Sequence, residues 1–367
     1  MADLVRLTRP APPEDYAERL RIFATPGQRT GVLAVCVGLT VFSMTASSFW
    51  ISTLVFALIA SIAVSGLNLL TGFSGQISLG HAFFVGLGAY TAVYLGGDLE
   101  LPFLVWLPAA GLVCAVASLL ISPFALRLRG LYLAVATLAL VFLGQHLFLN
   151  LPGITGGAQG ASVPQPAIGP LTFTDTTELG PLELTPDRKW FLLAGVVLVL
   201  VLLAVTNHVR SGFGRALMAV RDHDTAAEIL GVDVARTKLT VFALSSFYTG
   251  IAGALLGSYL RVITPEFWDL FLSVEYIAML IVGGMGTVMG SVLGAFTFTI
   301  VPRIIERLGP QIPFIESGIA AQGLTVSRLN VLLYGLFIML VLVFEPKGLV
   351  ALWARIKRWF VSWPYRF

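Results

Sequence analysis

The longest uncharged segment of the chain is residues 30–97, TGVLAVCVGLTVFSMTASSFWISTLVFALIASIAVSGLNLLTGFSGQISLGHAFFVGLGAYTAVYLGG. It contains no Asp, Glu, Lys or Arg, and a helix that crosses the hydrocarbon core of a bilayer needs only about 20 such residues. Of all 367 residues, 12% are charged and 57% are hydrophobic, whereas about a quarter are charged in soluble globular proteins. We therefore expect an all-α integral membrane protein, which excludes a soluble enzyme or a nucleic-acid-binding domain as the main body of the chain.

Further uncharged segments follow along the chain, and together they predict about ten transmembrane helices. The predicted spans are 31–49, 51–71, 78–96, 102–122, 131–150, 190–209, 239–260, 271–284, 288–304 and 329–345. The third span and the eighth and ninth are rich in glycine, so a broken or re-entrant helix there would reduce the number to eight. The predicted fold class is a polytopic helical bundle with eight to ten transmembrane helices.

The distribution of Lys and Arg orients these spans, because cytoplasmic loops carry an excess of basic residues. With ten spans and a cytoplasmic N-terminus, 17 of the 23 Lys and Arg residues fall in inside segments. Those segments are 1–30, 72–77, 123–130, 210–238, 285–287 and 346–367. Both termini are therefore predicted to be cytoplasmic, flanking a membrane domain at 31–345 with its long outside loop at 151–189. The Trp and basic residues of 346–367 favour an interfacial helix.

The longest inside segment, residues 210–238, carries the signals of two short helices. Phe213, Leu217 and Val220 form an apolar stripe at helical spacing, and the pattern then breaks at 222–224. Thr225 followed by Glu228 fits a capping box, and Gly231 fits a left-handed helix stop. The pattern alone leaves two interpretations open: a solvated connector resting on the membrane surface, or a docking element for a cytoplasmic partner.

The chain resembles a known family of transport proteins at several places in collinear order. Ala226, Ala227 and Gly231 have the A-A-x-x-x-G spacing of the coupling loop in bacterial ABC-importer permeases, with Thr225 where a Glu is usual. The matching stretches are GLNLLTGFSGQISLGHAFFVGLGAYTA (66–92), RSGFGRALMAVRDHDTAAEILGVDVARTKL (210–239), VEYIAMLIVGGMGTVMGSVLGA (274–295) and FEPKGL (344–349). These are similar to the branched-chain amino acid permease family of the LivH/LivM type, and the overall length is nearer to LivM. The chain departs from the family at Gly290–Ser291 and at GGAQG, residues 156–160.

The resemblance implies a permease subunit of an ABC importer in the bacterial inner membrane. Its implied partners are a second homologous permease subunit, two cytoplasmic ATPase subunits and a periplasmic solute-binding protein. The implied cargo is a branched-chain or related hydrophobic amino acid, with urea, short amides or another small organic solute as the alternative. The implied coupling-loop residues are Arg215, Arg221, Thr225, Ala226, Ala227, Glu228 and Gly231, of which the two arginines could instead meet lipid phosphates.

The sequence contains no G-x-x-x-x-G-K-[ST] motif, so we expect ATP to be bound and hydrolysed by partner subunits, with no cofactor and no enzymatic activity in this chain. No metal site is expected either, because the other histidines fall on different segments from His81 without ligand spacing. A self-sufficient secondary transporter would need acidic residues within its spans, and a membrane enzyme would need paired carboxylates or a metal cluster. Both alternatives are weaker, since the acidic residues near the spans are scattered singly.

Polar residues at span ends are candidates for the solute path, because an unpaired polar group within a membrane is costly. The candidates are Asn68, Gln76, Ser78, His81 and Glu275. The glycines of TGFSGQISLGH, residues 71–81, favour a broken helix whose free amide groups would suit a carboxylate. The competing interpretations are a tight turn, a hydrogen-bonded core histidine, and a hydrated Glu275 at the outer end of its span.

Glycines at four-residue spacing favour close helix packing rather than ligand contact. Gly286, Gly290 and Gly294 form two overlapping G-x-x-x-G units that are predicted to share one helix face, and Gly253 and Gly257 form another pair.

Overall fold

A computed structural model of the chain describes residues 38, 40, 42–125, 130–169, 171–179, 182–308, 332, 335, 336, 339, 343, 348–353 and 355. The predicted tenth span, 329–345, lies largely outside these residues, and of the predicted first span, 31–49, residues 38, 40 and 42–49 are described. The terminal segment 1–30 lies entirely outside them, and most of 346–367 does too.

The described chain is mostly helical. Its helices are α1 Ser48–Leu67, α2 His81–Ala92, α3 Phe103–Ala125, α4 Leu131–Asn150, α5 Pro152–Thr155, α6 Pro186–Arg210, α7 Gly212–Asp222, α8 Asp224–Ile229, α9 Val234–Leu260, α10 Leu270–Gly283 and α11 Val288–Leu308. The first two helices continue as π-helices, Asn68–Phe73 after α1 and Val93–Asp98 after α2. Short 3₁₀ turns cover Gly157–Gln159 and Pro265–Phe267.

Short antiparallel strand pairs lie at one end of the bundle. The strands are β1 Ala161–Ser162, β2 Ala167–Ile168, β3 Leu171–Thr172, β4 Thr177–Leu179, β5 Leu182–Leu184 and β6 Val262–Ile263. β2 pairs with β3 and β4 pairs with β5, both within the loop that precedes α6. β1 pairs with β6, which follows α9, and so it ties the long loop to the end of a second helix.

Six described helices are long and apolar enough to cross a membrane. They cover Ser48–Phe73, Phe103–Pro123, Tyr132–Asn150, Pro186–Arg210, Val234–Leu260 and Val288–Ile305. Each corresponds to one of the predicted spans, so the expectation of a helical membrane protein is confirmed. The predicted span 78–96 forms α2, 12 residues, and its π-helical continuation of 6 residues to Asp98, and the predicted span 271–284 forms the 14-residue α10. Because about 20 residues are needed for a straight crossing, the total of ten spans stays a prediction.

The core is built around α1 and α9, which contact most of the other long helices. Glycine permits the closest approach between α9 and α2: a Cβ atom built on Gly253 would lie 2.0 Å from the Val85 carbonyl oxygen. A Cβ on Gly88 would lie 2.2 Å from the Gly250 carbonyl oxygen, and one on Gly257 would lie 3.0 Å from the Ala89 side chain. Bare backbones thus pack against each other where lipid provides no hydrophobic driving force between helices.

The prediction that Gly286, Gly290 and Gly294 share one helix face is wrong. α11 begins only at Val288, and Gly286 lies in the preceding turn with φ +73°. Gly284 also has positive φ, because a tight reversal between α10 and α11 needs conformations that side chains disfavour. Gly290 and Gly294 do lie in α11, against the backbone of Gly283 and Met279 of α10.

Contacts between loop segments show which of them lie at the same end of the bundle. Arg221 of α7 donates to the Gly72 carbonyl oxygen (3.2 Å), and a Cβ on Gly286 would lie 3.4 Å from the same guanidinium. A Cβ on Gly348 would lie 2.5 Å from the Gly284 Cα atom. Three segments predicted to lie on one side of the membrane, 72–77, 210–238 and 285–287, therefore meet at one end, together with Gly348 from the fourth. The β1–β6 pair lies at the other end, since α9 runs from one end to the other.

Candidate solute path and partner-docking loop

Asn68 connects the end of α1 to the turn between α10 and α11. Its side-chain amide donates to the Thr287 carbonyl oxygen (2.8 Å) and the Ser291 hydroxyl (3.0 Å), and its side-chain oxygen accepts from the Gly286 amide (2.9 Å). The side chain is fully buried. Both ends of this amide are therefore used within the chain, which gives Asn68 a positioning role at the turn.

The chain leaves helical geometry between the π-helix after α1 and the start of α2, as the glycine pattern of residues 71–81 predicted. The amide groups near the start of α2 are, however, occupied by side chains. The Leu79 amide donates to the Thr137 hydroxyl (2.9 Å), the Gly80 amide to the Ser78 hydroxyl (3.3 Å) and the Ala82 amide to the Ser273 hydroxyl (2.9 Å). This half-helix end is therefore held by its neighbours rather than left open to a carboxylate.

Gln76 and Ser78 differ in their access to solvent. Gln76 is half-buried, and its amide donates to the Ser74 hydroxyl (3.0 Å), whereas Ser78 is buried. Gly75 precedes Gln76 with φ +74°, and a Cβ there would lie 2.9 Å from Cγ of Arg221. The segment around Gln76 is thus in direct contact with α7.

His81 is buried at the first turn of α2, among three other helices. Its Nε2 atom lies 3.1 Å from the Ala63 carbonyl oxygen of α1, and the Thr249 hydroxyl of α9 lies 3.4 Å from the same nitrogen. The ring of Tyr276 in α10 meets the imidazole edge to face, with 5.2 Å between ring centres. Such surroundings fit a hydrogen-bonded core histidine that holds the half-helix in place.

A cavity of about 380 Å³ lies between α1, α9, α10 and α11, in the half of the bundle away from α7. Apolar and aromatic side chains form most of its wall, and Glu275 and Arg303 bring one charge of each sign. Tyr276 lines the same cavity, so the ring that packs on His81 also forms part of the cavity wall. Glu275 was a candidate from the sequence, whereas Arg303 is one of the basic residues that fall outside the predicted inside segments.

Lys189 fixes the loop before α6 to that helix. The distribution of basic residues between inside and outside segments did not indicate this role. The ammonium donates to the carbonyl oxygens of Thr172 (2.7 Å) and Asp175 (2.6 Å) and to the Thr177 hydroxyl (2.6 Å). The side chain is 3% exposed. Nothing in the sequence indicates this cluster, because two of the three acceptors are backbone oxygens.

The loop after α6 forms two helices with a corner between them, as predicted. Leu217 and Val220 of α7 are buried, so the predicted apolar stripe faces the protein rather than a bilayer surface. Arg221 is engaged within the chain, because it donates to the Gly72 carbonyl oxygen and its Nε atom lies 3.1 Å from Asp222. The loop is therefore packed onto the end of the bundle.

The predicted capping box at Thr225 and Glu228 is wrong. α8 begins at Asp224, after an extended His223, so its N-cap lies two residues before the predicted one, and no side-chain cap is formed. Asp224 instead forms an ion pair with Lys238 of α9, and a carboxylate in the first helical turn is itself favourable. The predicted left-handed stop is confirmed, since Gly231 has φ +86°.

The tip of this loop exposes two large apolar side chains. Ile229 and Leu230, at the end of α8, are 86% and 82% exposed, while Ala227 on the same helix is buried. Helix signals in the sequence did not identify this pair, although two apolar residues directly before Gly231 are a visible signal. Elsewhere in the described residues, no group of His, Cys, Asp and Glu side chains is arranged to hold a metal ion.

Comparison with known proteins points to transport. Residues 33–343 match the family described as "Branched-chain amino acid transport system / permease component". The high-affinity branched-chain amino acid transport system permease protein LivM of Salmonella typhimurium is 33% identical over 298 residues, which are 78% of this chain and 66% of that protein. LivM of Escherichia coli is 32% identical over the same shares of both chains. The chain thus spans just under two thirds of the length of these relatives.

A shorter match concerns a different cargo. The xylose transport system permease protein XylH of Escherichia coli is 32% identical over 136 residues, which are 35% of this chain and 34% of that protein. No solved structure is significantly similar to the chain.

Proposed function

The chain belongs to the permease family of branched-chain amino acid transport systems, and we propose that it is a membrane-spanning subunit of an ABC importer for these amino acids. In this role it moves a branched-chain or related hydrophobic amino acid across the bacterial inner membrane. Separate ATPase subunits drive the movement, since the sequence has no P-loop of its own.

The observation that carries this proposal is the exposed apolar tip of the loop after α6. Ile229 and Leu230 project from a short helix whose other side is fixed by buried Ala227 and by the ion pair between Asp224 and Lys238. A rigid element with an exposed apolar pair is suited to insert into a groove on another protein, because buried apolar anchors supply most of the binding energy at interfaces. We assign that groove to the ATPase subunits.

The contacts of α7 give a route by which ATPase movement would reach the spans. Arg221 bonds to the π-helix that ends α1, and Asn68 in that π-helix bonds to the turn between α10 and α11. The docking loop, residues 210–238, is therefore linked to α1, α10 and α11, which are three of the four helices around the cavity. Alternating access requires that the two conformations bind solute differently, and such a linkage would couple the ATPases to that difference.

The remaining parts of the proposal concern topology and partners. We infer ten spans with both termini in the cytoplasm, because 17 of the 23 basic residues then lie inside. The same topology places the loop 151–189 in the periplasm, where it would receive the binding protein. A second homologous permease subunit would complete the membrane part, since each ABC importer combines two permease domains.

A related cargo is the second candidate. The 136-residue similarity to a xylose permease indicates that this helical framework serves solutes other than amino acids. The alternative cargo is urea, a short amide or another small organic solute, and ligand-binding measurements on the partner binding protein would identify it.

The docking assignment is tested by making the apolar tip charged. We expect Ile229→Asp with Leu230→Asp to abolish co-purification of the ATPase subunits, because the loss of anchors worth about 2 kcal/mol or more weakens binding about thirtyfold or more. The chain itself should still insert and purify, since both side chains are exposed. The measurement is the amount of ATPase retained on the affinity-purified permease pair, followed by leucine uptake into proteoliposomes.

Val262→Asp is the matched control, because it charges an apolar side chain that is 54% exposed at the opposite end of the bundle. It should retain the ATPases. If the double variant keeps its ATPases and transports leucine at the normal rate, the loop is only a connector and the assignment fails.

A further inference from the structure

We propose that the cavity between α1, α9, α10 and α11 binds the zwitterionic head of an amino acid, with Glu275 facing the ammonium group and Arg303 facing the carboxylate. This inference rests on the proposed function and names the groups that would recognise the cargo inside the membrane part of the transporter. It concerns a site that neither the family match nor the relatives assign to any residue.

The cavity has the size and lining of a small-molecule site. Its volume of about 380 Å³ falls within the range of roughly 300–1,000 Å³ that is usual for ligand pockets. Phe56 and Ile59 of α1, Leu256 of α9 and Phe298 of α11 supply apolar surface for a branched side chain. Thr299 adds little polarity to the wall, because its hydroxyl donates to the Ala295 carbonyl oxygen (2.8 Å).

The cavity wall carries one charge of each sign. Glu275 lies in the half of α10 that is away from the tight turn at 284–287, and Arg303 lies in the corresponding half of α11. Both side chains line the cavity and are partly buried. One acid and one base beside an apolar chamber match the three parts of a branched-chain amino acid, whereas a lipid tail or an apolar helix would need neither charge.

The Glu275 carboxylate has no partner among the described residues. Within the part of the chain that the structure describes, no ion pair or hydrogen bond holds its carboxylate, although the side chain is partly buried. Asp269, one helical turn or more away, is already used to cap α10 through the Leu272 amide (2.9 Å). Because removing a carboxylate from water is unfavourable unless it is paired, an ammonium group entering the cavity would supply the missing partner.

The position of the cavity also joins it to the predicted path. Tyr276 follows Glu275 in sequence, lines the cavity and packs edge to face on His81. The interrupted segment that contains Gln76 and Ser78 lies beyond His81, toward the end that carries α7. The bound amino acid would therefore sit above a layer formed by Tyr276 and His81, on the side away from the docking loop.

The test measures which half of the ligand each charge recognises. The full chain, with its partner permease in lipid nanodiscs, is titrated by saturation-transfer NMR with L-leucine, with isocaproate, which lacks the ammonium group, and with isoamylamine, which lacks the carboxylate. We expect the wild type to bind leucine about tenfold or more tightly than either analogue, since bonds to charged groups contribute roughly this much. Glu275→Gln should remove the preference over isocaproate alone, and Arg303→Gln the preference over isoamylamine alone.

Glu266→Gln and Arg261→Gln are the matched controls, because both side chains are exposed near the same end and neither lines the cavity. Both should keep the wild-type preferences. If the wild type does not prefer leucine, or if the cavity variants keep the same preferences, the proposal is overturned. Since this measurement needs neither ATPase nor binding protein, it can fail while uptake into proteoliposomes succeeds, and absence of uptake would separately reject the proposed function.

A second measurement does not depend on the charged variants folding normally. Thr299→Cys places a thiol on the cavity wall, and we expect an impermeant maleimide to label it at a rate that leucine lowers severalfold. The unmodified chain, with Cys36 and Cys114, gives the background. Labelling that leucine does not slow, or a thiol that is covered by lipid or by the partner permease and never labelled, contradicts the assignment.

Discussion

Asn68 illustrates how a single buried amide can position two distant parts of the chain. Two of its three hydrogen bonds reach the turn before α11, at Gly286 and at Thr287, which lies 219 residues further along the sequence, and the third reaches Ser291 in α11. An apolar side chain in its place would leave the Gly286 amide and the Thr287 carbonyl without their present partner. Both residues are half-buried, so each group left unsatisfied is expected to cost about 1 kcal/mol, the lower end of the range for buried groups.

We therefore expect Asn68→Leu to lower the free energy of unfolding by about 3 kcal/mol. The variant should show a clearly lower midpoint of thermal unfolding in detergent, followed by intrinsic fluorescence. Ser291→Ala is the matched control, because it removes only the bond of 3.0 Å and leaves the other two intact. Its loss should be about 1 kcal/mol. Equal midpoints for both variants would show that the amide does not hold the turn.

At the scale of elements, the packing of α2 on α9 depends on bare backbone. The short helix α2 lies against α9 where Gly88, Gly250 and Gly253 bring backbone atoms into direct contact. Because α2 begins at His81, its displacement would disturb both the half-helix start and the layer that His81 and Tyr276 form next to the cavity. The interface therefore has no room for a methyl group.

Gly253→Ala should separate the two helices, since the new Cβ would lie 2.0 Å from the Val85 carbonyl oxygen. Overpacking of this kind costs about 1–3 kcal/mol, so we expect a lower midpoint of thermal unfolding and reduced leucine uptake. Gly97→Ala is the matched control, because nothing lies within 4 Å of a Cβ at that position. A Gly253→Ala protein as stable as the control would mean that the backbones do not approach so closely.

The sequence predicted the long elements better than the short ones, for physical reasons. The span 131–150 coincides with α4, because a run of apolar residues identifies a membrane helix without any knowledge of its neighbours. The N-cap of α8 was misplaced by two residues, since the ion pair of Asp224 with Lys238 competes with the local capping signal at Thr225. Gly286 was assigned to a helix because spacing alone does not reveal a positive φ.

Some features of the candidate site could likewise be predicted from the sequence, and others could not. Glu275 could be singled out because an acid in an apolar run is visible in one segment. Arg303 could not be joined to it, because only the packing of α11 on α10 brings the two residues to one cavity. The occupied amides near the start of α2 were also hidden, since their acceptors Thr137 and Ser273 come from two other helices.

At the scale of the whole molecule, the two ends of the bundle differ in character. One end gathers α7, α8 and the turn between α10 and α11, and it carries the exposed pair Ile229 and Leu230. The other end carries the strand pairs, the Lys189 cluster and the half of the bundle that contains the cavity. Such polarity suits a transporter that meets an energy-supplying partner on one side and its solute on the other.

This polarity makes a topological prediction that thiol labelling can test. Ile229→Cys and Val262→Cys introduce exposed thiols at opposite ends, at side chains that are 86% and 54% exposed. In intact bacterial cells whose outer membrane has been permeabilised, an impermeant maleimide should label Val262→Cys and should label Ile229→Cys only after the inner membrane is disrupted. The reason is that the basic residues concentrate in the segments at the Ile229 end, and such segments stay in the cytoplasm.

The experiment is run without the ATPase subunits, which would cover Ile229, and the unmodified chain reports any reaction of Cys36 and Cys114. Labelling of Ile229→Cys from outside would invert the topology, and a motor in the cytoplasm could then no longer reach the loop between α6 and α9.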